Sequence, residues 1–334
     1  MKHRIWTRVA ALLTAAVVLL VGSSCAGKSG AVRLRVCEVT HSIFYAPQYA
    51  AMALGYFAEE GLEIDLSNGQ GADAVMAAVL SGNIDIGFAG PEASIYVYNE
   101  GKEDFTQVFA QITRRDGSFL LAREPDAAFT WDKVRGKVVL PGRKGGVPYM
   151  TLEHVLRQAG IDPATDTTLD NSVQYSLMTA AFTGGTGDYV TAFEPTASML
   201  EQEGQGYIVA SVGEASGDIP YTAYFAKKSY IEKNADVIER FTRAVYRGQQ
   251  WVAAHSAAEI AAAVADSFPD TAPDLLTKAV ESYRRIGAWN DTPVMSRESF
   301  DRLQAVMTEA GELSKPADYD KVVNNTFADK VITD

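Results

Sequence analysis

Residues 40–64 read THSIFYAPQYAAMALGYFAEEGLEI, and this stretch decides the fold class. Its pattern is that of a turn after a first strand, then a helix, then a second strand. Pro47 suits a first helical turn, because the N–H that proline lacks would have no partner there. Gly61 suits the helix end, and Leu62 and Ile64 then alternate with polar residues as in a strand. Ligands of open α/β sheets bind where strands end and helices begin, so a turn carrying His, Ser, Phe and Tyr indicates a small-molecule site.

Strands and helices alternate along most of the remaining chain, which predicts doubly wound α/β sheets with parallel strands. The alternation restarts near Trp131, and from Ile231 onward the apolar residues recur at helical spacing. The segment 82–94, GNIDIGFAGPEAS, is echoed at 185–198, GTGDYVTAFEPTAS. This echo is either chance, since its residues are common ones, or the mark of two lobes of similar construction.

Residues 1–24 have the composition of a signal peptide. Three basic residues precede an apolar run at 10–21, which is too short to cross a bilayer comfortably. Small residues then lead to Cys25. Cleavage before Cys25, with lipid attached to its sulfur, would make a bacterial lipoprotein. The alternative is ordinary signal cleavage, with Cys25 incidental.

The composition is that of a folded chain with a negative surface. Its 334 residues, 47% of them hydrophobic, suffice for two lobes with their own cores. Loss of residues 1–24 would take the formal net charge from −12 to −15, which disfavours nucleic acid and anionic membranes as electrostatic partners. If Cys25 carries lipid, Cys37 has no disulfide partner, and its place in an expected strand predicts a buried thiol.

Four short motifs resemble the solute-binding proteins of ABC transporters, and more narrowly the group for nitrate, sulfonates, taurine and thiamine precursors. The motifs are YAPQY at 45–49, GYFAEEGL at 55–62, GNID at 82–85 followed by Gly87, and FEP at 193–195. The group includes the sulfonate-binding protein SsuA and relatives of the thiamine-pyrimidine synthases. The resemblance implies a type II periplasmic-binding-protein fold, with two doubly wound α/β lobes joined by two crossings and a ligand cleft between them.

The same resemblance implies how the chain is divided. After the signal peptide at 1–24, a lipid-anchored tether occupies 25–31 and the first part of lobe one occupies 32–118. The crossings and lobe two occupy 119–227, with the crossings near 119–123 and 222–227. The C-terminal helices, 228–334, return to lobe one.

The function implied is that of an extracytoplasmic solute-binding lipoprotein. Its partners would be a small solute, an ABC permease with its ATPase, and the membrane through the N-terminal lipid, but not nucleic acid. The chain would be a monomer at the outer face of the cytoplasmic membrane, with no cofactor, metal or catalytic residue.

Four regions of such a fold would face the cleft and hold the solute. Their expected ligand-binding residues are, in chain order, His41, Ser42, Phe44, Tyr45, Gly71, Gly90, Pro91, Glu92, Arg143, Tyr149, Phe193, Glu194 and Tyr221. Structural roles compete with these assignments. Phe44 suits core packing, Glu92 suits a helix-dipole partner, and Arg143 suits a solvated loop.

Two kinds of solute fit these residues. A sulfonate-like anion would use helix N-termini and Arg143. A heteroaromatic amine would use the aromatic faces together with Glu92 or Glu194, because a buried carboxylate needs an N–H or cationic partner. The second is preferred here.

Three other functions compete with solute delivery. A thiamine-pyrimidine-synthase-type enzyme would use pyridoxal phosphate, but the cysteine-rich motif of that group is absent from this sequence. A transcription-factor effector domain would need an N-terminal DNA-binding helix pair where the leader stands. A ligand sensor without transport stays open.

Overall fold

The computed structural model describes residues 30–333. The predicted signal peptide at 1–24, the predicted lipidation site Cys25 and most of the predicted tether lie outside the described residues. In chain order the strands are β1 (Val32–Glu38), β2 (Leu62–Asn68), β3 (Ile86–Ala89), β4 (Thr106–Thr113), β5 (Ser118–Ala122), β6 (Val138–Leu140), β7 (Thr168–Leu169), β8 (Tyr189–Phe193), β9 (Tyr207–Ser211) and β10 (Thr222–Lys227).

These strands form two five-stranded sheets of matching design. The first sheet has the order β2-β1-β3-β10-β4 and the second has the order β7-β6-β8-β5-β9. In the first sheet β1 and β3 are parallel, while β10 runs antiparallel to both of its neighbours. In the second, β6 is parallel to β7 and β8, while β5 is antiparallel to β8 and β9. Each sheet is therefore mixed rather than wholly parallel, because one strand enters it from the other lobe.

The helices lie between and after these strands. They are α1 (Ala46–Ala53), α2 (Tyr56–Glu59), α3 (Ala72–Ser81), α4 (Glu92–Asn99), α5 (Val147–Gln158), α6 (Met178–Thr183), α7 (Thr196–Gln202), α8 (Val212–Ser216), α9 (Lys228–Lys233), α10 (Ala235–Ala254), α11 (Ala257–Val264), α12 (Pro273–Arg285), α13 (Arg297–Glu309), α14 (Tyr319–Val322) and α15 (Thr326–Val331). We call the first sheet with its helices lobe one, and the second sheet with α5–α8 lobe two.

The opening stretch forms the expected strand–helix–strand unit, with one break. Pro47 lies in the first turn of α1, as its missing N–H requires. The single predicted helix is divided at Gly55, whose φ of 76° lies in the left-handed region that favours glycine. A short second helix, α2, then precedes Gly61 and β2.

The two crossings lie a few residues earlier than the sequence suggested. The chain leaves the first sheet after Thr113 and enters the second at Ser118, so the first crossing is 114–117. It returns through 217–221. Residues 119–122 and 222–227, which the prediction assigned to crossings, are strand residues, because their apolar runs fill the two sheets.

The sequence echo marks the same structural device in both lobes. Asp85 Oδ2 accepts a hydrogen bond from the Arg35 N–H over 2.9 Å, and Asp188 Oδ2 accepts one from the Val138 N–H over 2.9 Å. Each aspartate thus fixes the approach to a central strand, β3 or β8, against its neighbour. This equivalence favours lobes of similar construction over chance.

The described residues show a buried thiol, a stacked aromatic pair and helices too short or too polar to span a membrane. Cys37 is a free, buried cysteine in β1, as predicted, and burial raises the pKa of its thiol. In lobe one the Phe88 and Tyr224 rings stack with centroids 4.1 Å apart. No helix within 30–333 combines the length and apolar character needed to span a membrane.

Candidate functional site

A cavity of about 390 Å³ lies between the lobes, where loops that follow strands of both sheets converge. Lobe one contributes the loops after β1, β2 and β3. Lobe two contributes the loops after β6 and β7 and the end of β8, and the second crossing adds Tyr221 and Thr222. A volume of this size is typical of a small-molecule site.

Aromatic side chains form much of the cavity wall. Tyr45, Tyr175, Phe193 and Tyr221 all line it. Phe44 lies behind them, with its ring centroid 5.5 Å from that of Tyr45, 5.6 Å from Phe193 and 5.7 Å from Tyr221. Phe44 is fully buried and does not line the cavity, so it supports the wall rather than facing a solute.

Glu92 is the buried acidic group of the cavity. Glu92 is the first residue of α4, and it is 1% exposed. The Val147 N–H of lobe two donates to Oε1 over 3.4 Å, whereas Oε2 has no hydrogen-bond partner among the described residues. Burial raises the pKa of Glu92 to about 7, and the charge of Arg143 opposes this shift. A buried carboxyl oxygen without a partner costs free energy unless a ligand supplies a donor.

Gly90 leaves room for the Glu92 carboxyl group, and a second glycine, Gly71, borders the same cavity. A Cβ atom at Gly90 would lie 1.9 Å from Glu92 Oε2, so no side chain fits at that position without displacing the carboxyl group. Gly71, whose φ is 157°, also lines the cavity at the start of α3. Both predicted glycines therefore border the site. Pro91 is the N-cap of α4 and does not line the cavity.

Arg143 is the cavity's cationic side chain and enters from lobe two. It belongs to the loop 142–146, GRKGG, which precedes α5, and we call this segment the glycine loop. The Arg143 side chain is 47% exposed, and its Nε lies 3.9 Å from Asp73 Oδ1 of lobe one. Its charge is therefore shared between solvent, Asp73 and the cavity.

Glu194 precedes α7 and Glu92 begins α4, but the hydrogen bonding of the two carboxyl groups differs. It borders a second, smaller cavity of about 130 Å³. Both of its carboxylate oxygens are occupied, because the Ser198 N–H donates to Oε2 over 2.9 Å and the Ser198 hydroxyl donates to Oε1 over 2.8 Å. Of the two glutamates, Glu92 is thus the one with an oxygen free for a ligand.

His41 and Ser42 also border the smaller cavity, and their polar atoms are engaged in protein contacts. His41 Nδ1 lies 2.9 Å from Glu38 Oε1, and Nε2 lies 2.7 Å from the Ser267 carbonyl oxygen. The neighbouring Glu38 carboxylate raises the pKa of His41. The Ser42 hydroxyl donates to the Glu194 carbonyl oxygen over 2.6 Å and so joins the lobes.

Tyr149 and the loop after β7 are placed differently from the prediction. Tyr149 lies in α5 and does not line either cavity. Conversely, residues 171–175 line the larger cavity, although they are not among the predicted site residues. The only local signal was Asp170, whose Oδ1 accepts from the Ser172 N–H over 2.9 Å in a turn. The preceding strand, β7, has two residues and leaves almost no pattern.

The first crossing, 114–117, which we call the hinge, holds a second buried carboxyl group near the cavity. Asp116 lies in the first crossing and is 0% exposed. Oδ1 accepts from the N–H and the hydroxyl of Ser118, both over 2.6 Å, and Oδ2 has no partner among the described residues. Burial raises its pKa to about 7. Burial, and after it the charge of Asp116, raises the pKa of Tyr221, which lines the cavity from the second crossing.

Solved structures share this fold at low sequence identity. The alkanesulfonate-binding protein SsuA from Xanthomonas axonopodis pv. citri, bound to MOPS, matches with a TM-score of 0.69 and 17% identity over 88% of this chain and 98% of that one. The nitrate-binding protein NrtA from Synechocystis PCC 6803 matches with 0.68 and 17% over 90% and 88%. The ligand-binding component of an ABC-type import system from Staphylococcus aureus matches with 0.71 and 14% over 90% and 99%. These likenesses confirm the predicted type II periplasmic-binding-protein fold.

Sequence comparison adds the family. YtlA of Bacillus subtilis (strain 168), which is named as a binding protein, is 42% identical over 330 residues, covering 98% of this chain and 99% of that protein. The model of the NMT1-like family matches residues 32–266. The resemblance seen in the sequence motifs is confirmed at this level, and the chain belongs to the NMT1-like family.

Proposed function

We propose that this chain is the extracytoplasmic solute-binding component of an ABC importer. It captures a small heteroaromatic amine between its lobes and delivers it unaltered to a permease. Support comes from the name of the 42% identical relative and from the shared fold with an ABC import component. The observation that carries the solute class is the buried, unpartnered Oε2 of Glu92 in an aromatic cavity.

The chemistry of the cavity favours an N–H donor over a sulfonate. An aromatic ring bearing an amino group would stack against Tyr45, Phe193 or Tyr221 and donate to Glu92 Oε2. A sulfonate offers no donor to Glu92 Oε2, and the ionised form of that carboxyl group would repel it. Its main cationic partner, Arg143, is half-exposed and shares its charge with Asp73.

Export and anchoring belong to the same proposal. We propose cleavage after residue 24, lipid on Cys25, a tether at 25–31, and delivery by a monomer at the outer face of the cytoplasmic membrane. Membrane fractionation of cells expressing the full chain tests this. The membrane-bound protein should begin at Cys25 and carry the added mass of its acyl groups, whereas a membrane-bound chain without that added mass would exclude the lipid anchor.

Titration calorimetry with aminopyrimidines, flavins, taurine and alkanesulfonates tests the solute class. We expect binding of an aminopyrimidine or flavin, weakened at least tenfold by Glu92→Gln. Glu100→Gln, at the other end of α4 and exposed, serves as the matched control and should bind as the wild type does. Binding of sulfonates alone, or equal affinity in Glu92→Gln, would contradict the proposed class. Turnover of the bound compound, or pyridoxal phosphate in the purified protein, would contradict a binding role.

A further inference from the structure

Three side chains of lobe one contact the glycine loop of lobe two or its junction with α5. Glu92 accepts from the Val147 N–H, and Asp73 approaches Arg143 at 3.9 Å. The third is Tyr96, whose hydroxyl donates to the Gly145 carbonyl oxygen over 2.8 Å. Glu92 and Tyr96 are one turn apart on α4, so they present their polar atoms to the loop from the same helix face.

The loop backbone is shaped to receive Tyr96. Gly145 has a φ of 77°, which an L side chain rarely adopts. A Cβ atom there would lie 3.6 Å from the Tyr96 hydroxyl and 3.2 Å from Glu312 Oε2. The Tyr96 hydroxyl also lies 3.8 Å from Met150 Sδ in α5. The loop and the start of α5 therefore close over the tyrosine tip at short range.

Tyr96 is not part of the cavity wall, but the loop that it holds is. Arg143, Gly146 and Val147 line the cavity, and Val147 is the residue that reaches Glu92. A bond to Gly145 therefore fixes the segment that carries these three residues. Without that bond, the contacts of the glycine loop and its junction with lobe one are the 3.4 Å contact to Glu92 and the 3.9 Å approach to Asp73. The next contact along α5 is two turns away, where His154 Nδ1 lies 2.7 Å from Glu309 Oε2.

We infer that Tyr96 is a positioning residue for solute capture, which holds the glycine loop against lobe one in the closed state without touching the solute. This inference rests on the proposed function. Because the bond exists only when the lobes meet, its loss should speed solute release and leave the encounter rate unchanged. One hydrogen bond predicts a change of about three- to tenfold.

Tyr96→Phe tests the role, because it keeps the ring and removes only the hydroxyl. Tyr98→Phe is the matched control, since Tyr98 lies on the same helix and packs against Phe105 within lobe one at a centroid distance of 5.0 Å. Double electron–electron resonance measures the distance between the lobes. The spin labels are attached at Glu63→Cys and Glu203→Cys, in the full chain carrying Cys25→Ser. Both label sites are exposed, and they lie on different lobes.

The expected result for Tyr96→Phe is a ratio of closed to open molecules reduced about three- to tenfold. For the panel solute that binds best, koff should rise by the same factor and kon should stay within about twofold of wild type. Tyr98→Phe should change neither quantity. If Tyr96→Phe leaves the closed population and koff unchanged, or if the wild type shows no closed population in any condition, the inference is overturned. If no panel solute binds, the proposed solute class fails, while the label distances still decide the role of Tyr96.

Discussion

The Val147 N–H of lobe two donates a hydrogen bond to Glu92 Oε1 of lobe one over 3.4 Å, and this contact joins the first turns of α5 and α4 across the cavity. The other oxygen of the same carboxyl group is buried and unpartnered among the described residues. In the function that we propose, one side chain thus serves lobe closure with one oxygen and offers the second to the solute. Closure and binding would then be coupled at Glu92.

Gly90→Ala should weaken solute binding at least tenfold while the chain still folds. The added Cβ would lie 1.9 Å from Glu92 Oε2, so the carboxyl group has to leave its present position. Calorimetry on Gly90→Ala, Glu92→Gln and the double variant forms a cycle. The two losses should be strongly non-additive, and additive losses would show that Gly90 acts independently of Glu92.

Solute affinity should rise as the pH increases from about 6 to about 8. Burial raises the pKa of Glu92 to about 7, and an N–H donor prefers the ionised carboxylate, so binding lowers that pKa and releases a proton. Calorimetry in two buffers of different ionisation enthalpy measures the proton directly, with a solute that does not titrate in this range. Glu92→Gln should remove both effects. Tighter binding at lower pH would indicate an anionic solute instead.

Asp116→Asn should flatten the pH dependence of stability. The pKa of Asp116 is about 7 in the folded chain and near 3.8 when exposed, so the folded state holds a proton that the unfolded state has lost. Stability from this group is present at low pH and falls as pH rises from about 4 to 7. At about 1.4 kcal/mol per pKa unit, the loss reaches up to about 4 kcal/mol.

Urea unfolding at pH 5 and pH 8 gives two free energies of unfolding, and their difference contains the part of this loss that occurs above pH 5. Glu92 contributes with the same sign, so Asp116→Asn should reduce the difference between the two free energies of unfolding without abolishing it. Equal differences in the wild type and the variant would mean that Asp116 does not titrate in this range.

Gly117→Ala should destabilise the hinge by about 1–3 kcal/mol, the usual range for overpacking a filled core. A Cβ at Gly117 would lie 2.5 Å from the Phe44 ring, which itself supports the aromatic wall of the cavity. Denaturant unfolding measures the loss. Gly30→Ala, where a Cβ meets nothing within 4 Å, is the control. A neutral Gly117→Ala would show that Phe44 is free to move.

The sequence predicted the fold well because the relevant signals are local and repeated. Turn residues, proline at a first helical turn and the echoed aspartates each constrain a short segment, and they agree with one another. The crossings were placed a few residues late because each adjoins a strand directly, and no local pattern marks the point at which the chain changes lobes. The break at Gly55 was missed because a glycine inside an apolar helical pattern is often tolerated.

The site was predictable only in part. The residue types at strand ends singled out Tyr45, Gly71, Gly90, Glu92, Arg143, Phe193 and Tyr221, all of which line the cavity. The sequence did not separate Glu92 from Glu194, because a serine follows each of them in the helix that begins there. Only the structure shows that Ser198 donates to the Glu194 carboxylate, whereas the Ser94 hydroxyl accepts from Thr106. Residues 171–175 enter the cavity through tertiary packing, which no local pattern records.

A crystal structure of the full chain with the solute that it retains on purification tests the central claim most directly. We predict a small aromatic compound enclosed between the lobes, with a ring N–H or amino nitrogen about 2.7–3.2 Å from Glu92 Oε2. A solute bound outside the cavity, or one that presents an acidic group and no donor to Glu92, would contradict the account.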